Sequence, residues 1–91
     1  MSPTAYDIRL QSEAREQLED LDREVGGRIL EKIRWLAEHG DQVRHLPLTS
    51  DLAGLYKRRV GAYRIIYQVV AEQRILVVHR VGHRRDIYEG G

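Results

Sequence analysis

Residues 55–81 read LYKRRVGAYRIIYQVVAEQRILVVHRV, and the reading of this stretch decides the fold. Three runs rich in β-branched and aromatic residues, Leu55 to Val60, Tyr63 to Val70 and Arg74 to Val81, are separated by turn signals at Gly61-Ala62 and near Glu72-Gln73. Glycine in the first central position of a two-residue loop suits a type II′ turn, which pairs Val60 with Tyr63 and Arg59 with Arg64. Side chains two apart on a strand share a face, so Lys57 joins both arginines on one side of the hairpin.

Working outward toward the N-terminus, Tyr6 to Leu10 alternates apolar and polar residues, the period of a half-buried strand. Ser12 offers a helix N-cap with Glu13 in the first turn, and Ala14, Leu18, Leu21 and Val25 then recur at helical spacing. Gly26-Gly27 is read as a break or kink before a second apolar stripe, Ile29, Ile33, Leu36 and Ala37, which stops at His39-Gly40-Asp41. Two helices in a hairpin and one kinked helix both satisfy this pattern. Trp35 lies off the stripe, either widening the packed face or standing exposed as a partner anchor. Gln42 to Gly54, with Pro47, has no period and reads as a loop. The expected fold is α+β, in one domain spanning residues 1–91: an N-terminal strand, a two-helix segment, a three-stranded antiparallel meander and a short C-terminal tail. The helices cover one face of the sheet.

Charge is distributed unevenly along this frame. Residues 55–88 hold eight of the fifteen Lys and Arg residues against two carboxylates, Glu72 and Asp86. Residues 1–46 carry seven bases and ten acids, and residues 47–91 eight bases and four acids, so a net charge of +1 conceals two surfaces of opposite sign. Basic clusters interleaved with tyrosines suit a polyanion that also has bases to stack, which points to nucleic acid. Arg59 opposite Arg64 is a repulsive cross-strand pair, costing about 0.2–1 kcal/mol, and an anion seated between them removes the repulsion.

A second cluster follows the last strand: Gly82-His83-Arg84-Arg85-Asp86-Ile87-Tyr88 brings together an imidazole, two guanidiniums and a phenol, groups that handle protons and phosphate charge. His39 and His45 are weaker candidates, and His79, inside an apolar run, reads as structural. With no cysteine in the chain, disulfides, thiolate zinc sites and cysteine nucleophiles are excluded, and a reducing, cytoplasmic setting is expected. No His, Asp and Glu set has metal spacing and no glycine-rich loop precedes a helix, so neither a metal nor a nucleotide cofactor is expected. The N-terminus lacks the pattern of a signal peptide and no apolar run approaches the roughly 18 residues of a membrane span, so a soluble protein without a membrane partner is expected.

From Tyr6 to Tyr88, and most closely over Leu52 to Tyr67 and Val81 to Tyr88, the chain resembles the RelE/ParE superfamily of toxins from bacterial and archaeal toxin-antitoxin modules. The resemblance implies a small α+β toxin held inactive by a cognate antitoxin, with contact to DNA only indirectly, through that antitoxin. In the RelE branch the toxin enters the ribosomal A site and cleaves the bound mRNA. Residue by residue, the match puts Lys57 and Arg59 on the two catalytic basic positions and Arg64 on the phosphate-stabilising arginine. Arg84 falls on the arginine after the last strand and Tyr88 on the C-terminal tyrosine.

The sequence departs from that pattern at Arg59, where lysine is frequent; an arginine, with a pKa above about 12, is a poor base near neutrality. Proton transfer is then expected from Lys57, with a pKa lowered by its cationic neighbours, or from His83, while Tyr88 stacks on or orients the base at the cleavage point and Arg58 and Arg85 bind RNA. ParE-like members share the fold but inhibit DNA gyrase without a nuclease site, which makes a binding inhibitor the rival expectation. A module that only contacts phosphates is a third.

Overall fold

The computed structural model describes residues 5–40, 46–47, 55–83 and 85. Its elements are β1 (Asp7–Leu10), α1 (Ser12–Asp20), α2 (Arg23–Glu38), β2 (Leu46–Pro47), β3 (Tyr56–Val60), β4 (Tyr63–Val70) and β5 (Ile75–His83). The strands form one sheet in the order β1-β5-β4-β3-β2. Strands β2 to β5 are antiparallel neighbours, and β1 lies parallel to β5 with Asp7 opposite Ile75 and Leu10 opposite Val78.

The expected α+β order and the antiparallel meander are both present, with helices packed on one sheet face. Ala14 of α1 and Ile29, Ile33, Leu36 and Ala37 of α2 form one buried cluster with Ile65, Tyr67, Leu76, Val78 and Val81 of the sheet. The helical stripe and the alternating strand residues therefore meet in a single apolar layer, the arrangement that gives burial its roughly 25 cal/mol per Å2.

Three local readings are corrected. Ser12 is the first residue of α1 rather than its cap: Gln11 holds the N-cap position, with no side-chain cap bond. The helix break lies at Leu21-Asp22, not at the double glycine. Leu21 is extended, and the Asp22 carboxylate caps α2 by accepting a bond from the Glu24 N–H at 3.2 Å. Capping is the stronger local signal, because an acid at this position satisfies an amide that the helix leaves orphaned. Gly26 and Gly27 sit inside α2; Gly26 is buried where α2 passes the backbone of Leu18, and Gly27 is exposed. The Gln42 to Gly54 segment, read as loop throughout, contains β2, with Leu46 opposite Lys57 and Pro47 opposite Tyr56.

The β4–β5 pairing contains an irregularity between Ile66 and Tyr67, which pair with Arg80 and Val78 and leave His79 as the extra residue of a bulge. Beyond Val78 strand β5 has no β1 neighbour, and α1 takes over its edge. The Val81 N–H donates to Gln17 Oε1 at 2.7 Å and Arg80 Nε donates to Glu13 Oε1 at 3.2 Å. This switch from strand to helix neighbour shapes the surroundings of His83.

Candidate active site on the β3–β4 hairpin

The hairpin turn follows the sequence rule. Gly61 has φ +59° and Ala62 is not among the residues with positive φ, the combination a type II′ turn requires. Val60 pairs with Tyr63 and Arg59 with Arg64, as the two-residue loop demands. Tyr56, Val60, Tyr63, Ile65, Tyr67 and Val69 all belong to the core or pack on it. Alternation then turns Lys57, Arg59, Arg64, Ile66 and Gln68 to the face away from the helices.

On that face Lys57 and Arg64 are half-buried and Arg59 is exposed. Arg59 Nε donates to the carbonyl of Gly61 at 3.2 Å, which holds its guanidinium against the turn. Arg64 Nη1 is buried without a hydrogen-bond partner. Neither arginine, nor Lys57, has a carboxylate partner among the described residues. An orphaned guanidinium donor costs about 1–3 kcal/mol, a penalty that an incoming phosphate oxygen relieves.

Arg58 points the other way. Its guanidinium lies 5.5 Å from the centre of the Trp35 ring, on the helix side of the sheet, so it is not grouped with Lys57 and Arg59. Trp35 is 39% exposed and is also approached by Lys32 at 4.5 Å and stacked on His39 at 4.8 Å. The exposed alternative for Trp35 is the one observed. Arg58 also lowers the Tyr67 phenol pKa, an effect smaller than the burial that pushes it up to about 12.

His83 is also separated from the cationic face. Its cross-strand partner is Tyr63, and the two rings meet edge to face at 5.6 Å, whereas Arg64 lies opposite the side-chain-free Gly82. His83 therefore lines a cleft against α1 instead of facing Arg64. Its Nδ1 accepts a bond from the exposed Arg85 N–H at 3.3 Å. Arg84 and Tyr88 lie outside the described residues. His79, read as structural, bonds through Nε2 to Gln68 Oε1 at 3.2 Å, and burial lowers its pKa. Among the described residues no group of His, Asp and Glu could hold a metal ion.

Known proteins share the fold that presents this hairpin. The family model described as "ParE toxin of type II toxin-antitoxin system, parDE" matches residues 8–88. The chain belongs to the RelE/ParE toxin superfamily. It is 33% identical over 88 residues to Toxin RelG of Mycobacterium tuberculosis, covering 91% of this chain and 95% of RelG. A chain of the toxin-antitoxin complex RelBE2 from the same organism superposes with a TM-score of 0.80 at 30% identity, covering 93% of this chain and 98% of that one. The free E. coli toxin RelE, in a mutant form, has the same fold with a TM-score of 0.76 at 22% identity, covering 93% and 92% of the two chains. These relatives put the chain on the RelE-like branch of the superfamily.

Within the RelE-like fold the residues that sequence reading missed are Tyr63, Gln17 and Asp20, which share the His83 cleft. Carrying the pairing rule from the first hairpin to the second would put Tyr63 opposite Gly82; the bulge at His79 shifts the register by one and brings it opposite His83 instead. Gln17 and Asp20 carried no signal, because their position depends on how α1 replaces β1 along the edge of β5.

Proposed function

We propose that this chain is the toxin of a type II toxin-antitoxin module and acts as a metal-independent, ribosome-dependent mRNA endoribonuclease. The observation that carries the reading is the Arg59–Arg64 pair beside Lys57, with Arg64 Nη1 buried and unpartnered. In the proposed reaction the RNA 2′-oxygen bonds to the adjacent phosphorus and the bond from phosphorus to the 5′-oxygen breaks. The 2′-hydroxyl gives its proton to solvent water, the leaving 5′-oxygen gains one from the site, which solvent then restores, and a cyclic phosphate remains. Arg64 and Arg59 neutralise charge growing on the phosphorane oxygens, the largest single contribution expected of such a site. The Lys57 ammonium is the proposed proton donor to the 5′-oxygen, and neither arginine serves as base. Arg84 and Tyr88 enter this reading through their match to the family pattern.

A cognate antitoxin is the proposed protein partner, as RelBE2 is a toxin-antitoxin complex and a RelE–RelB complex from Pyrococcus horikoshii shares the fold with a TM-score of 0.70. The ribosome and mRNA are the proposed targets. The match to a family described by ParE favours a second reading, a non-enzymatic inhibitor of DNA gyrase. Primer extension on mRNA programmed into ribosomes separates the two: cuts by the wild type that disappear in Arg64→Ala support the nuclease, and intact mRNA with active protein supports the inhibitor.

A further inference from the structure

The cleft beside His83 lies on the other side of the sheet from Lys57, Arg59 and Arg64. It is lined by Gln17, Asp20 and Leu21 from α1 and its C-terminal end, and by Tyr63, Arg80, Gly82 and their neighbours from the sheet. Its volume is about 240 Å3. Sites for drug-sized ligands start near 300 Å3, so this cleft takes a single ring system and little more.

Its chemistry is mixed in a specific way. Tyr63 and His83 present two aromatic rings at 79° to one another, so a flat guest stacks on one and meets the edge of the other. By accepting the Arg85 N–H, Nδ1 of His83 fixes the neutral ring's proton on Nε2, which is a donor with no partner among the described residues. Asp20 offers carboxylate oxygens that likewise have no partner among the described residues, while Arg80 is already half neutralised by Glu13. An aromatic wall with one free donor and one free acceptor suits a heterocycle bearing both kinds of group along its edge. A bare phosphate would meet the Asp20 carboxylate and a single compensated arginine.

We infer that this cleft binds one nucleobase of the RNA strand, stacked at Tyr63 and His83 and read by His83 Nε2 and Asp20. The inference rests on the nuclease reading for its biological substrate. Gly82 is its geometric basis: it lies opposite Arg64 and next to His83 and has no side chain of its own, so a strand whose phosphate meets Arg64 can turn a neighbouring base past this position toward the cleft. His83 is thereby a specificity-determining residue and not the proton carrier expected from its place in the sequence.

The test is an NMR titration of the full chain with the four nucleoside 5′-monophosphates and with ribose 5-phosphate, following the His83 and Tyr63 ring signals. At least one nucleotide should shift both rings, ribose 5-phosphate should shift neither, and Asp20→Asn should weaken the preferred nucleotide about tenfold or change which base is preferred. Silence of both rings toward every nucleotide, or equal shifts with ribose 5-phosphate, overturns the inference. So does a cleft whose rings respond only to the cognate antitoxin, which would make it a protein-docking site. Cleavage mapping on ribosomes is read separately: a wild type that cuts no mRNA removes the nuclease reading and leaves base binding by the cleft to stand or fall on the titration.

Discussion

Arg58 and Arg59 are adjacent in the chain and live in different environments. Arg59 is exposed, tied to the turn carbonyl of Gly61, and faces Arg64 across the hairpin. Arg58 lies against Trp35, its Nε buried on the helix side. The same alternation separates Arg64 from Ile65, the latter wholly buried in the core. A hairpin of this kind holds two environments in one segment of sequence, because each strand residue belongs either to the layer that holds the fold or to the face that carries the cations.

The sharpest way to break this comparison is to truncate neighbours. Arg64→Ala should lower cleavage by about 100- to 1000-fold, the cost of removing a preorganised donor to developing charge, with little change in the urea midpoint. Ile65→Ala should do the reverse, lowering stability by about 2–5 kcal/mol in urea denaturation through the cavity it leaves. If both variants lost the same property, the two faces would not be functionally distinct. The arginine pair gives a smaller contrast. Arg59→Ala should reduce cleavage by at least tenfold, whereas Arg58→Ala should leave cleavage within a few-fold. The latter should cost about 0.5–1 kcal/mol of stability as the cation leaves the Trp35 ring, measurable by thermal unfolding.

Titration sharpens the comparison further. Tyr67 is on the core side, and its phenol is pushed from 10.0 up to about 12, chiefly by burial. The unfolded chain therefore releases this proton first, and stability is lost as pH rises above 10; Tyr67→Phe should flatten that alkaline limb. His79, on the other face, is held below the usual 6.5 by burial. The unfolded chain takes up the proton first, so the contribution is present above 6.5 and is lost as pH falls through the lowered value. His79→Gln should reduce the drop in melting temperature between pH 7 and pH 5. The smallest effect is expected at Gly27, exposed inside α2 with nothing within 4 Å of an added Cβ. Gly27→Ala should stabilise the fold by about 0.5–1 kcal/mol without touching either face.

The meander, its turn and the Arg59–Arg64 register were legible because period-two alternation and a glycine at one position determine them locally. The helix break was not, since a double glycine is the more conspicuous signal and the Asp22 cap the stronger interaction. The parallel pairing of β1 with β5 joins residues almost seventy positions apart, beyond any local pattern. For the site, Lys57, Arg59 and Arg64 came together as the alternation required. Arg58 and His83 did not join them: sequence proximity to other cations suggested one cluster, but strand parity turned Arg58 away and the bulge at His79 turned His83 to the side of Tyr63. The surroundings of His83 depend on α1 covering the end of β5, a tertiary fact with no trace in the order of residues.

The measurement that bears most directly on the central claim is primer-extension mapping of an mRNA programmed into ribosomes, comparing the wild type, Arg64→Ala and Arg58→Ala, with a control lacking ribosomes. The account predicts ribosome-dependent cuts by the wild type and Arg58→Ala, and their loss in Arg64→Ala. Uncut mRNA with protein that still arrests growth, or cuts that persist undiminished in Arg64→Ala, would contradict it.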